Sequence, residues 1–407
     1  MTTMANFRLR SKVKNKSKYP LMMRFSLLSV SLVLASSLSV SAAVPEWQRA
    51  FPGHSYAAIE LIATMPSLAV IIFLLLSGWI AKQLSPKKTV ILGLIISGLF
   101  GILPLIVTNY YLMLLSRFGF GVGLGLINGL AVSLIGTFFA GNEKNILMGI
   151  RSGFEMFGDA VCAYIAGALL VDYGWHSSFL VYGLAFPVAI LFYLYVPEPT
   201  TPTSTPTAVK KERRRRLNPD VLFWTILLAV YQITYVGATV RLAEFIEDSK
   251  IGSVQQAAMI ISIAPFFGLM GGIIFGRALQ YLRKYLLPLA IIASGVSQII
   301  VSFAHSFFTA ALGMFLVTML DTIVVSYILN IATEISEPQN LNVVTSILLI
   351  GSNCGIFLAP VALGSVNNLF NTNSPGLSFL ISGIGLLLIG GIGIYDLRFI
   401  GHRIFRD

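Results

Sequence analysis

A few charged side chains stand inside long apolar runs of this chain, and they are the residues most able to do chemistry. Glu155 and Asp159 are four residues apart in the run 145–171. That spacing puts both carboxylates on one face of a helix. Two close carboxylates repel when both are ionised, which presses one of them to keep a proton, as a proton carrier must. Arg117 lies in the run 110–139, and Asp321 near the middle of the run 306–334. An ionisable group inside a bilayer is costly, so all four are candidates for proton coupling. For Glu155 and Asp159 the competing reading is a structural pair satisfied by neighbouring hydroxyls or arginine. For Asp321 proton handling, cavity lining and cation binding all stay open.

Neutral polar residues supply a second set. Asn128 in the run 110–139 is placed to hydrogen-bond a solute or to pack one helix on another. Tyr231, Gln232 and Tyr235 recur at helical spacing in the run 220–246 and are expected to line a central cavity. Arg241 and Glu244, three apart further along, read as an ordinary interfacial pair. Nothing points to enzyme chemistry, a cofactor or a metal. The four histidines and the two cysteines, Cys162 and Cys354, show no metal-ligand spacing, and no Ser-His-Asp constellation can be argued. Both cysteines fall in apolar runs and read as small packing residues.

The elements that hold these residues follow from composition. Of 407 residues, 56% are hydrophobic and only 11% charged, against about 25% charged in a soluble domain. Mean hydropathy is +0.82. This excludes a cytosolic enzyme, a disulfide scaffold and a disordered chain. Apolar runs occupy 21–43, 55–81, 88–108, 110–139, 145–171, 175–196, 220–246, 253–279, 284–304, 306–334, 341–366 and 375–399. Each is long enough to cross a ~30 Å hydrocarbon layer as a helix. The fold class is an all-α membrane protein with twelve transmembrane helices, here spans 1 to 12.

The net charge of +11 is a topology signal. With the N-terminus in the cytoplasm, 22 lysines and arginines fall on the inner side and two, Arg49 and Lys250, on the outer side. That asymmetry predicts both termini inside a multi-pass cytoplasmic membrane protein, and it argues against nucleic acid. Counted from the predicted outer ends at ~1.5 Å per residue, Arg117 lies roughly 10 Å and Asp159 roughly 18 Å deep. The reach of an arginine then makes Arg117–Asp159 the expected ion pair, which protonation of Asp159 would weaken. A static helix-to-helix staple is the competing reading. Residues 1–44 also fit a cleavable secretory signal. Keeping run 21–43 as span 1 preserves two equal halves.

Pro/Thr-rich and then basic, residues 197–219 have a linker's composition. The expected layout is a basic tail 1–20, a six-helix bundle 21–196, a cytoplasmic linker 197–219, a second six-helix bundle 220–400 and a tail 401–407. The halves echo each other. Gly78 opens the polar turn after span 2, and Gly276 does so after span 8, 198 residues on. The Cys162-Ala163-Tyr-Ile-Ala166-Gly167 segment of span 5 is mirrored by Ala359-Pro360-Val-Ala-Leu363-Gly364 of span 11. Duplicated helical units are typical of secondary transporters, with a site near midplane between the repeats.

Over nearly its full length the chain resembles the major facilitator superfamily, and within it bacterial drug and metabolite efflux permeases. Gly78, Leu84, Lys87 and Lys88 match that family's first loop motif, with Lys82 where the family has an acid. Arg117, Gly121 and Gly123 match its R-x-x-x-G-x-G motif. Cys162, Ala163, Ala166 and Gly167 stand where antiporters carry Gly-Pro-x-x-Gly-Gly. Gly174, Trp175, His176 and Phe179 resemble its G-W-R-x-x-F turn, with His for Arg. The resemblance implies two pseudo-symmetric six-helix bundles, with Gly78, Lys82, Lys87, Lys88 and Gly276 as candidate gating-loop residues. It implies a secondary transporter for a small-molecule solute, with protons and the lipid bilayer as further partners and a single chain as the working unit. Proton-coupled efflux is the leading expectation. Uptake of an organic anion by symport or uniport, with Arg117 as anchor, is the alternative, and a membrane sensor or intramembrane enzyme is the third. Short loops and a duplicated core suit a bacterial cytoplasmic membrane.

Overall fold

The computed structural model describes residues 20–139, 141–199, 219–334, 341–370 and 374–395. The expected tails and most of the expected linker lie outside the described residues. Polar residues between the apolar runs set where helices begin. Ser55 accepts from the Ala58 N–H, and Asn109 accepts from the N–H groups of Tyr111 (2.9 Å) and Leu112 (3.3 Å). Ser253 and Gln256 cap each other reciprocally. These side chains satisfy N–H groups that a helix start leaves free.

Among the described residues, eleven helical stretches are long and apolar enough to cross a membrane, one of them running Val254–Ser302. At ~1.5 Å per residue its 49 residues are far too long for one crossing. It is broken at Arg283, where φ is +45°, into Val254–Leu282 and Leu286–Ser302. The far end of the second piece returns to the starting side, because the Ser302 hydroxyl donates to the Gly376 carbonyl beside Phe245, near the end of span 7. The stretch is therefore spans 8 and 9, which makes twelve membrane-length helices among the described residues.

Span 1 is the least regular. Its helix Leu21–Leu34 gives way to 3-10 turns at Ala35–Leu38 and Ser41–Ala43 before the short helix Val44–Ala50. Span 2 (Tyr56–Leu84), span 3 (Pro86–Ile102), span 4 (Tyr110–Phe138), span 5 (Gly141–Tyr173) and span 6 (Ser177–Tyr195) follow. Spans 7, 10, 11 and 12 are Pro219–Asp248, Phe307–Glu334, Leu341–Leu369 and Pro375–Tyr395. Within the first half span 4 packs on spans 2 and 3, and span 1 on spans 5 and 6. Within the second, span 7 packs on span 11, span 8 on span 10 and span 9 on span 12.

Two seams join the halves, span 5 against span 8 and span 2 against span 11. They are repeats of one another. A Cβ on Gly167 would stand 2.5 Å from that of Ala258, and one on Gly364 would stand 2.7 Å from that of Ala57. Only glycine permits backbones this close. Pro66 in span 2 and Pro265 in span 8 are a second equivalent pair. The third is Ser85 and Arg283, non-glycine residues with positive φ 198 residues apart. Both seams lie toward the face that the lysine and arginine distribution predicts to be outer. Gly149, Gly153 and Gly276, nearer the other face, have nothing within 4 Å of a Cβ. Among the described residues, the close glycine contacts between the halves thus lie on the predicted outer side, and these three glycines on the predicted inner side make none.

Candidate functional site

The site begins where the helices are imperfect. Pro66 has no N–H, so the Ile62 carbonyl one turn earlier loses its helical donor. The turns of span 1 leave the Ser37 carbonyl similarly short of partners. In a membrane such groups must find donors inside the protein. Arg117 supplies them. Its Nε donates to the Ile62 carbonyl at 2.9 Å, and its Nη2 to those of Ser37 at 2.7 Å and Ala63 at 3.5 Å. The guanidinium is fully buried, 5.0 Å from the Phe120 ring centre, 5.2 Å from Tyr182 and 5.8 Å from Phe179. The expected Arg117–Asp159 pair is not formed: Nε and Nη2 go to backbone oxygens, and Nη1 is buried without a hydrogen-bond partner.

Asp159 instead accepts a hydrogen bond from Ser39 of span 1, at 3.2 Å. It borders a cavity between the halves, shared with Tyr235, Thr239 and Thr318 of the second half. The cavity holds about 40 Å³, room for one or two waters. Tyr235 interacts electrostatically with both Asp159 and Asp321. Asp321 accepts from Gln232 Nε2 at 3.3 Å, so two residues singled out separately in the sequence meet. Glu155 does not share a site with Asp159. It is held by Arg151, one turn earlier. Arg151, Glu155 and Asp159 together form a polar stripe on one face of span 5.

Other expectations land elsewhere. Tyr231 does not line the cavity. It is buried in the core of the second half, donating to Ser294 Oγ at 3.1 Å. Asn128 is partly buried on span 4. Lys87 donates to the Tyr193 carbonyl at 2.8 Å, tying the first loop to span 6 of its own half. Lys82 and Lys88 are exposed, Gly78 is buried and Gly276 is exposed. His176 lies flat on Trp175, ring centres 3.5 Å apart. Desolvation lowers its pKa, a backbone bond to Val107 opposing, so it is uncharged at neutral pH.

Arg241 corrects the sequence reading most. Its partner is Glu60 of span 2, not Glu244. The pair is bidentate, Nε to Oε1 at 2.6 Å and Nη2 to Oε2 at 3.0 Å, with each side chain 2% exposed. The third nitrogen, Nη1, donates to Ser378 of span 12, which donates to Asn367 Oδ1 of span 11 at 3.0 Å. Arg49 and Glu247 form a second link between the halves at the same face. Glu60 lies one turn inside span 2, far in sequence from Arg241. An acid there with no basic neighbour in sequence was the available signal.

Twelve membrane-length helices among the described residues, in two repeated six-helix halves that meet at a seam carrying partly buried Asp159, define a helical membrane protein of the secondary-transporter class. Residues 22–283 match the model of the Major Facilitator Superfamily, and the chain belongs to that family. It is similar to the hexuronate transporter of Bacillus subtilis (strain 168), 22% identical over 237 residues, 55% of this chain and 56% of that protein. It is also similar to a probable L-galactonate transporter of Escherichia coli (strain K12), 29% identical over 143 residues, 35% of this chain and 32% of that one. The matched parts therefore span about half and about a third of those relatives. Among solved structures, the POT family transporter PepTSo superposes with a TM-score of 0.74 at 15% identity, over 95% of this chain and 99% of that one. A bacterial homologue of the human lysosomal transporter Spinster, inward-facing and occupied, gives 0.71 at 17% identity, over 94% and 97%. These likenesses show the fold.

Proposed function

We propose that this transporter carries a small organic anion, of the sugar-acid class, into the cell together with protons. The observation that carries the reading is the seam between the halves, where Asp159 borders a cavity shared with Tyr235 of the second half, Asp321 lies within electrostatic reach of that tyrosine, and the two carboxyl groups are held by neutral donors, Ser39 and Gln232. A carboxylate without a cation beside it is expensive in such a place, so taking up a proton is the cheap route between the two faces. The named activities of the two relatives favour an organic anion over the efflux expected from sequence. Arg117 is fully buried with Nε and Nη2 on backbone carbonyls, so Arg151, at the head of the span 5 stripe, is the anion anchor in this reading. The chain works as a monomer in a bacterial cytoplasmic membrane with both termini inside. Gly78, Lys82, Lys87, Lys88 and Gly276 approach one another when the inner side closes.

Uptake into proteoliposomes tests this. Acid outside should accelerate entry of a labelled hexuronate or aldonate, competed by other sugar acids and not by neutral sugars. Proton release from everted vesicles on adding cationic solutes, with no sugar-acid entry, would support efflux instead.

The glycine seams make a separate prediction. Gly167→Leu or Gly364→Leu forces a side chain into the contact with Ala258 or Ala57. Closure at the predicted outer face then becomes strained by about 1–3 kcal/mol or more, and initial uptake should fall about tenfold or more. Each half's own core is untouched, so the yield of monodisperse protein should hold. Equal loss of both would place the effect in folding.

A further inference from the structure

Arg241 serves Glu60 and leaves a second carboxyl group beside it without a partner. Glu244, one turn along span 7, is 7% exposed, and its Oε1 is buried with no hydrogen-bond partner. Two buried carboxyl groups therefore stand beside one guanidinium, on the seam between the halves. We infer that Glu244 is a proton-binding site of the outer gate, and that its protonation lets Arg241 hold Glu60 and close the halves at that face. The inference deepens the proton-coupled reading above and rests on it for its place in the cycle.

With Glu244 neutral, the seam holds one positive and one negative charge in a bidentate pair, an arrangement a buried site tolerates. With Glu244 ionised, the same seam holds two negative charges and one positive. Parting the halves admits water to the excess charge and relieves it. Arg241 stays with the second half, anchored through Ser378 and Asn367, so Glu60 is the group that departs. The other groups facing Glu244 are Tyr56 and Glu60 of span 2, and Glu247 and Asp248 of its own helix. Arg49, at the end of span 1, is engaged by Glu46 and Glu247 and does not replace Arg241. Glu244 is four residues, about 6 Å, from the end of the span 7 helix, so its proton arrives from the predicted outer side. Acid outside would thus close the gate behind an entering solute, the order that inward symport requires.

The test is a distance between the halves, read without any solute. Spin labels at Tyr111→Cys and Phe308→Cys sit on exposed residues at the predicted outer ends of spans 4 and 10, with Cys162→Ala and Cys354→Ala removing the native thiols. In lipid, raising the pH from about 5 to about 9 should raise the ratio of long to short distances about tenfold. Glu244→Gln should hold the short distance at every pH, and Glu60→Gln the long one. An unchanged titration in Glu244→Gln overturns the inference. If that variant does not fold, the parent titration decides, and a distance that ignores pH overturns it equally. Uptake assays judge the transport reading separately. A chain that carries no sugar acid but shows this titration keeps the gate and loses the substrate class.

Discussion

Replacing Arg117 with alanine should leave little monodisperse protein after extraction, and what survives should melt far below wild type. The arginine is fully buried and donates to the carbonyls of Ile62, Ser37 and Ala63. Each buried oxygen stranded by its loss costs about 1–3 kcal/mol, and the space left beneath Phe120 and Tyr182 adds to that. Arg117→Lys should recover only part of the loss, because an ammonium lacks the planar fork and the stacking on rings. The mechanism has its own check. Pro66→Ala returns a helical N–H to the Ile62 carbonyl, so Pro66→Ala with Arg117→Met should be more stable than additivity allows. Strict additivity of the melting shifts would mean that Arg117 does not serve the proline's missing bond.

Breaking the Glu60–Arg241 pair should have the largest effect on transport. Removing Arg241 strands Glu60 as a buried charge, at about 3–5 kcal/mol, and removing Glu60 leaves Arg241 nothing to hold in the first half. That cost falls on the conformer closed at the predicted outer face, which should lose roughly a hundredfold or more in population. Arg241→Met and Glu60→Ala should therefore each abolish uptake. Changing both, Glu60→Leu with Arg241→Met, replaces the pair by an apolar contact. It should restore a stable fold with the outer side shut but not restore transport, since nothing then opens that face. Accessibility of a cysteine at the Ala57 position to a membrane-impermeant thiol reagent reads this. The single variants should react quickly and the double variant slowly. Slow reaction in the single variants would show that the pair does not control closure.

The architecture was legible in the sequence because the bilayer enforces it. Run 110–139 emerges as the helix Tyr110–Phe138, and run 375–399 as Pro375–Tyr395. The repeat read from Gly78 and Gly276 reappears as matched turns at Ser85 and Arg283, and as glycine contacts at Gly167 and Gly364. The site was legible only as a set of residues. Asp159, Asp321, Gln232 and Tyr235 meet or nearly meet, but their partners come from far along the chain. Local spacing paired Arg241 with Glu244, whereas Glu60 lies 181 residues away. Spacing also joined Glu155 to Asp159, where an arginine on the same face captures Glu155. For Arg117 the deciding feature was Pro66 in another helix, whose broken hydrogen bond creates the acceptor.

The most direct test of the central claim, proton-coupled carriage through Asp159, compares two modes of transport in the same proteoliposomes. Asp159→Asn mimics the protonated carboxyl group and cannot release a proton. Solute exchange, in which the loaded carrier only shuttles, should survive in this variant, while accumulation driven by an imposed pH gradient should be lost. Wild-type accumulation that persists in Asp159→Asn would contradict the account and remove Asp159 from the proton path.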